Sequence, residues 1–308
     1  MKQVSIIAAA FIGILFGISQ ANAQSDRTFV STAGIDSATC GSFTAPCRSF
    51  NVALPVTNAG GEVIALDSGI YDSFNVGVSI SVTLSAPNGV HAELPGITVN
   101  TTTNDTVILR NLYFSKRPDV TSNEGIKVTS VGALHVENCV VNGFPTGVSF
   151  ALTAAAEVFI NDSIVRNSNA NGISFSTSAG LIKAVINHCR FENNGHFGPI
   201  GDGVSVIKRS RVTVRDTVST GNNGAGFVVT GGELTLENCE ASNNNDGVIA
   251  SGDDTLDGSA LVGNTTVTHN TRDGFRQEGT GTLNSLGNNI VRKNGTNVFG
   301  TIGSVSTI

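Results

Sequence analysis

The sequence predicts an all-β solenoid, a chain wound into a parallel β-helix behind a short N-terminal capping segment. Two observations carry that expectation: a phrase that recurs at rung-like intervals, and three alternating apolar stretches inside each recurrence. The phrase is a polar bend residue followed by a small or apolar one. Its copies are Asn111-Leu112, Asn138-Cys139, Asp162-Ser163, His188-Cys189, Asp216-Thr217, Asn238-Cys239, Asn264-Thr265 and Asn289-Ile290. The second members are separated by 27, 24, 26, 28, 22, 26 and 25 residues. Self-similarity at such a period is the mark of a solenoid.

Each repeat opens on a glycine and an inward pair, as in Gly125-Ile126 with Val128, Gly147-Val148 with Phe150, and Gly226-Phe227 with Val229. A second stretch supplies Leu134/Val136, Val158/Ile160, Ala184/Ile186, Val212/Val214 and Leu234/Leu236. The third begins at the phrase itself, with Cys139/Val141, Ser163/Val165, Cys189/Phe191, Thr217/Ser219, Cys239/Ala241 and Thr265/Val267. Alternation of period two is the strand signature. About six inward side chains at ~1.5–3 kcal/mol each cannot offset ordering two dozen residues at ~1–2 kcal/mol apiece. One coil is unstable alone, so coils must stack. Leucine-rich repeats share the length and an Asn/Cys column, but they need leucine at several fixed positions and a helical return. Here leucine is sparse and Gly, Asn, Val, Ile and Thr dominate, so the β-helix is preferred.

Stacking places the polar members of the phrase in one column of bends, where Asn tolerates left-handed backbone. Cys139, Cys189 and Cys239 then share an inward column with Ser163 and Thr217 between them. Alternate rungs are ~9.6 Å apart, beyond the ~7 Å Cα separation that a disulfide spans. Three buried free thiols follow. Cys40 and Cys47 lie close together in a turn-rich loop and are expected to pair.

The organisation expected is a signal peptide over 1–23, a capping segment over 24–61 and the β-helix over 62–308. Lys2, the apolar run Ile6 to Ile18 and Ala21-Asn22-Ala23 form the export signal, with cleavage after Ala23. The run is shorter than the ~20 residues of a membrane span. The expected location is therefore secreted or periplasmic, with no membrane span after cleavage. Within the cap, Ser49 is a helix N-cap ahead of Phe50 to Leu54, and Pro55 limits that helix. The segments Glu62–Leu66, Val78–Leu84 and Gly96–Val99 are read as the first coils.

After cleavage 17 basic residues face 24 acidic ones, which argues against nucleic acid as a partner. No cofactor motif is present. Glu124, Asp202, Asp246 and Asp273 each precede the repeated glycine and read as turn residues. His188 reads as a bend residue. Asp253, Asp254 and Asp257 offer oxygens to a hard cation, but without a calcium-repeat signature they read as a polar loop, and no metal site is assigned.

One departure from regularity remains. Asn193 to Asp202 lengthens its rung and carries His196. Lys208, Arg209, Arg211 and Arg215 follow, the one basic cluster of an acidic chain, with Lys183 a rung earlier. Alternation turns Lys183, Arg211 and Arg215 outward. These six residues are the candidate ligand-binding set, suited to carboxylates of an acidic polysaccharide or another cell-envelope component. No residue is assigned as catalytic. Polygalacturonase-like enzymes resemble an ordered set of Asn-Thr-Asp, Asp-Asp, Gly-His-Gly and Arg-Ile-Lys motifs. Here Gly195-His196-Phe197-Gly198 and Ile207-Lys208-Arg209 precede Asn245-Asp246 and Asp253-Asp254, so that constellation cannot be rebuilt in rung order.

The stretch Arg27-Thr28-Phe29-Val30-Ser31 through Cys40, with Pro46-Cys47-Arg48-Ser49-Phe50 and Gly60-Gly61-Glu62-Val63, resembles the opening of small secreted bacterial right-handed β-helix repeat proteins of the pectate-lyase-like fold group. Gly287-Asn288-Asn289 and Asn294-Gly295 resemble their closing rung. The resemblance implies a right-handed coil and brings no established activity. Two functions stay open: a non-catalytic extracellular or envelope protein that binds glycan or another surface component, and a polysaccharide lyase or epimerase acting on uronate polymers. The absence of Trp and the presence of only Tyr71 and Tyr113 weigh against aromatic stacking on sugars.

Overall fold

Short alternating stretches separated by tight corners can satisfy their backbone only by pairing with the coil before and the coil after. The computed structural model, which describes residues 24–196, 201–253 and 255–305, shows that arrangement. Three parallel sheets run along one axis. A long sheet of 12 strands extends from Ser25–Val30 to Ile302–Ser304, a glycine-led sheet of 10 from Val76–Val78 to Thr296–Phe299, and a short-strand sheet of 10 from Gly69–Ile70 to Ile290–Arg292. One coil shows the plan. Thr146–Leu152 lies in the glycine-led sheet, Ala156–Asn161 in the long sheet and Ile164–Arg166 in the short-strand sheet. The export signal assigned to 1–23 lies outside the described residues.

The three inward pairs per coil are the core. Ile126, Val128, Leu134, Val136, Cys139 and Val141 of one coil are all at most 2% exposed, and the pattern repeats upward. Phe150 stacks on Phe175 of the next coil with ring centroids 4.8 Å apart, the rung spacing of a sheet. The repeated glycine is a packing requirement. A Cβ on Gly247 would sit 2.3 Å from Val267 Cγ1, and one on Gly147 would sit 2.3 Å from Val165 Cγ1.

The bend column holds as read, with φ between 48° and 58° at Asn111, Asn138, Asp162, His188, Asp216, Asn238 and Asn264. The last copy is out of register by one residue. Ile290 pairs with Thr266, and Asn289 Oδ1 accepts from Thr265 N at 2.8 Å. Asn289 therefore occupies the inward column and Asn288 replaces it beside the bend. Its amide reaches the same backbone donor that hydroxyls serve lower down, where Cys139 N donates to Ser163 Oγ at 3.1 Å and Cys189 N to Thr217 Oγ1 at 3.2 Å. Within the first coils, Val78 to Leu84 turns a corner at Ser79–Ser81 between Val76–Val78 and Val82–Ser85.

The N-terminal end is closed by a four-residue helix, Phe50–Ala53, whose N-cap Ser49 accepts from Val52 N. A single 3-10 turn, Leu54–Val56, carries Pro55. Phe50 is fully buried against Tyr71, and Asp72 accepts from the Phe50 and Asn51 amides. Cys40 and Cys47 form a disulfide. Among the described residues no helix is long and apolar enough to cross a membrane.

Cys139, Cys189 and Cys239 are buried free thiols. Burial pushes Cys139 up to about 12 and the other two up to about 11. Titration with a thiol reagent is expected to find three free thiols per chain after denaturation and almost none in the folded protein; a folded-state reaction at any of them would contradict the register.

Candidate functional site

A second polar ladder runs along the corner between the short-strand and glycine-led sheets. Three residues beyond the last inward position of five successive short strands stands an asparagine: Asn194, Asn222, Asn244, Asn270 and Asn294. Asn222 Oδ1 accepts from both Asn194 N (3.0 Å) and Asn194 Nδ2 (2.9 Å). Asn244 Oδ1 accepts likewise from Asn222, Asn270 from Asn244, and Asn294 from Asn270. Each Nδ2 also donates to a backbone carbonyl of the coil below, as Asn244 does to Ser219 O at 2.9 Å. Five amides are thus satisfied inside the coil, which an apolar residue at this tight corner would not achieve.

Outside this ladder the same corner carries a groove of about 780 Å³. Its walls include Asn167, Asn193, His196, Asn223, Asn243 and Asn245. Asn167, Asn193 and Asn243 hold the left-handed bend, with φ of 53° to 56°. The lengthened segment from Asn193 supplies Gly195 and His196 as part of the wall, and Asn223 Nδ2 donates to Gly195 O at 3.3 Å. Amides that each carry donors and acceptors at a ~4.8 Å repeat suit a ligand presenting hydroxyls at intervals.

The acids before the glycines lie next to this groove in sequence and bind coil to coil. Asp202 Oδ1 accepts from Ala225 N at 2.8 Å, and Asn171 Oδ1 accepts from Asp202 N at 3.0 Å. Asp246, 2% exposed, is paired with Arg272 at 3.0 Å. Asp273 is 4% exposed and paired with Arg276. Among the described residues no cation is paired with Asp202. Burial, reinforced by the charge of Asp246, pushes its carboxyl from 3.8 up to about 6 against the opposing Ala225 and Ser205 hydrogen bonds.

The six candidate residues do not form one site. His196 lines the groove. Lys183, Arg211 and Arg215 project from the long sheet, each facing an acid on a neighbouring coil. Lys183 pairs with Glu157 at 3.8 Å, Arg211 donates two hydrogen bonds to Glu233 at 2.7 and 2.9 Å, and Arg215 meets Glu237 at 2.9 Å. Lys208 ends its strand opposite Ser176. Arg209 takes the left-handed bend between the two sheets and donates to Ser178 O. In the neighbouring loop the Asp253 carboxylate accepts from Thr255 and Leu256, and Asp257 accepts from Thr280. The groove amides are the residues the sequence reading missed. A signal was present for the ladder behind them, as the spacing of three from Phe191, Ser219, Ala241, Val267 and Val291 to each ladder asparagine.

Comparison with known proteins agrees with this architecture. Residues 196–308 match the family model described as right handed beta helix region. Among solved structures, an alginate lyase from Paenibacillus sp. str. FPU-7 superposes with a TM-score of 0.57 at 14% identity, covering 90% of this chain and 98% of that one. Pectate lyase Pel9A gives 0.52 at 14% identity over 89% of this chain and 71% of that one. XylC, solved with xylose, gives 0.53 at 9% identity over 90% and 69%. No curated protein sequence matches. At these identities the likeness establishes the right-handed β-helix fold.

Asp202 also sets a pH dependence. A carboxyl whose folded pKa is raised contributes stability that is complete below its unfolded value and lost as pH rises through the folded value. Between pH 3.8 and about 6, calorimetry should show the melting temperature of the wild type falling relative to that of Asp202→Asn. Parallel curves for the two proteins would contradict the assignment.

Proposed function

We propose that the protein is an exported, non-catalytic β-helix protein that binds a glycan or glycan-like envelope component along its amide-lined groove. The groove carries this reading. Neutral donors and acceptors repeat at the rung spacing beside His196, while Lys183, Arg211 and Arg215 are each already matched by an acid. Hydroxyl-rich ligands are met by such amides without the desolvation cost of a buried charge. Export is supported by the apolar leader over 1–23 and by the Cys40–Cys47 disulfide, a bond favoured in oxidising compartments.

The alternative of a uronate lyase or epimerase needs a base beside the substrate and cations free to stabilise an enolate. Its strongest support is the likeness in fold to the alginate and pectate lyases, which is a likeness of scaffold.

Incubation of the purified protein with a panel of neutral and uronate polysaccharides separates the two. Binding by calorimetry without product absorbing in the ultraviolet is the expected result. Unsaturated product would favour the lyase, and neither signal would remove both. Asn243→Ala and His196→Ala should each weaken binding about tenfold, the equivalent of one lost hydrogen bond of ~1–1.5 kcal/mol.

A further inference from the structure

The outward face of the long sheet has a charge order that is complementary to itself. Its middle column is largely apolar or aromatic near the centre, with Ile108, His135, Phe159 and Val185 on successive strands. All four are half-buried, and the His135 ring stacks on Phe159 at 4.8 Å. On either side run columns of charge. One reads Glu157, Lys183, Arg211, Glu233; the other reads Arg110, Glu137, then Asn161 and Asn187, then Arg215, Glu237. These side chains are about half exposed, apart from Glu137, which is 31% exposed.

A second copy laid face to face is related by a two-fold axis lying in the interface. If that axis runs along the solenoid, the two flanking columns face each other on the same coil. Arg211 then meets Arg215 and Glu233 meets Glu237, which repel. If the axis runs along the strands, between Ala156–Asn161 and Ile182–Asn187, each flanking column meets itself in reverse. Glu157 then opposes Lys183 of the other copy, Glu137 opposes Arg215 and Arg110 opposes Glu237. Each contact occurs twice by symmetry, and no like charges meet along either flanking column. Phe159 packs on Val185 at the centre. We propose that the protein forms an antiparallel homodimer through this face of the long sheet.

The size is sufficient. That axis overlaps all twelve strands, from Ser25–Val30 to Ile302–Ser304. At ~4.8 Å per strand and ~3.3 Å per residue over five residues, the shared face is on the order of 900 Å² per copy, enough for a standard stable interface. Burial of Phe159, Val185 and Ile108 supplies affinity, and the charges set orientation and register. A second antiparallel register, centred between Arg211 and Glu233, is also free of repulsion along the flanking columns. It overlaps fewer strands and places Thr213 against Thr235 at its centre. The amide groove lies at the corner between the other two sheets, so the dimer leaves both copies of it open.

Analytical ultracentrifugation of the wild type across micromolar concentrations tests this directly, and the expected species is a dimer. Glu137→Arg with Glu157→Lys makes four facing positions basic, and Lys183→Glu with Arg215→Glu makes the same four acidic. Each double variant should associate at least about tenfold more weakly than the wild type. An equimolar mixture of the two should recover the dimer, which only folded chains can do. Phe159→Thr, which changes no charge, should weaken association as well. A wild type that is monomeric at tens of micromolar, double variants that remain dimeric, or a mixture that stays monomeric would each overturn the proposal.

Discussion

Axial stacking of each coil on the next is the constraint from which the remaining structure follows. A coil of two dozen residues buries too little to stand alone, so every inward group must find its partner one rung away. Apolar positions do this by contact, as Phe150 does on Phe175. Polar positions do it by hydrogen bonds that run parallel to the axis. The Asn194 to Asn294 ladder and the Ser163, Thr217 and Thr265 hydroxyls each accept a backbone N–H from the neighbouring coil. Polar interior groups are tolerated because the repeat delivers a partner at the same place each time.

That constraint also sorts the chemistry. Histidine, aspartate and cysteine, the residue types of many active sites, are drawn into packing and bends. His188 holds a left-handed bend and Cys189 beside it is a buried packer with a raised pKa. Outward columns obey a different rule. Residues on neighbouring rungs are brought within ~4.8 Å of one another, and Lys183, Arg211 and Arg215 each have an acid on one adjoining rung, as in Lys183 beside Glu157 and Arg215 beside Glu237. The amide groove at one corner, beside the lengthened segment that carries His196, instead lines up neutral polar side chains from successive coils.

Much of the fold was legible because alternation and period are properties of order along the chain. The inward pairs, the bend column, the disulfide, the three free thiols and the Ser49 cap could all be read from residue type and spacing. One local reading differed. At Asn289 the phrase was matched by residue identity, yet Asn can serve either the bend or the inward acceptor, and only pairing with Thr265 decides. At Val78 to Leu84 alternation runs through the corner at Ser79–Ser81, because a bend that keeps the inside–outside order leaves the pattern intact. The site was less legible. The ladder asparagines were visible as a spacing, but asparagine is so common at turns that the spacing did not separate structural amides from those lining a groove.

The sequence alone determined that this chain must be a stacked solenoid, which side chains point inward, and which cysteines remain unpaired. These follow from period-two alternation and the distance between rungs, and neither depends on how the coil closes. Tertiary structure decided which residues from different coils share a surface. It placed His196 with amides from four coils, separated it from Lys183, Arg211 and Arg215, and matched those cations to acids across the rungs. Proximity between coils is set by register and by the corner each residue occupies, and a single bend moves a neighbour in sequence onto a different face.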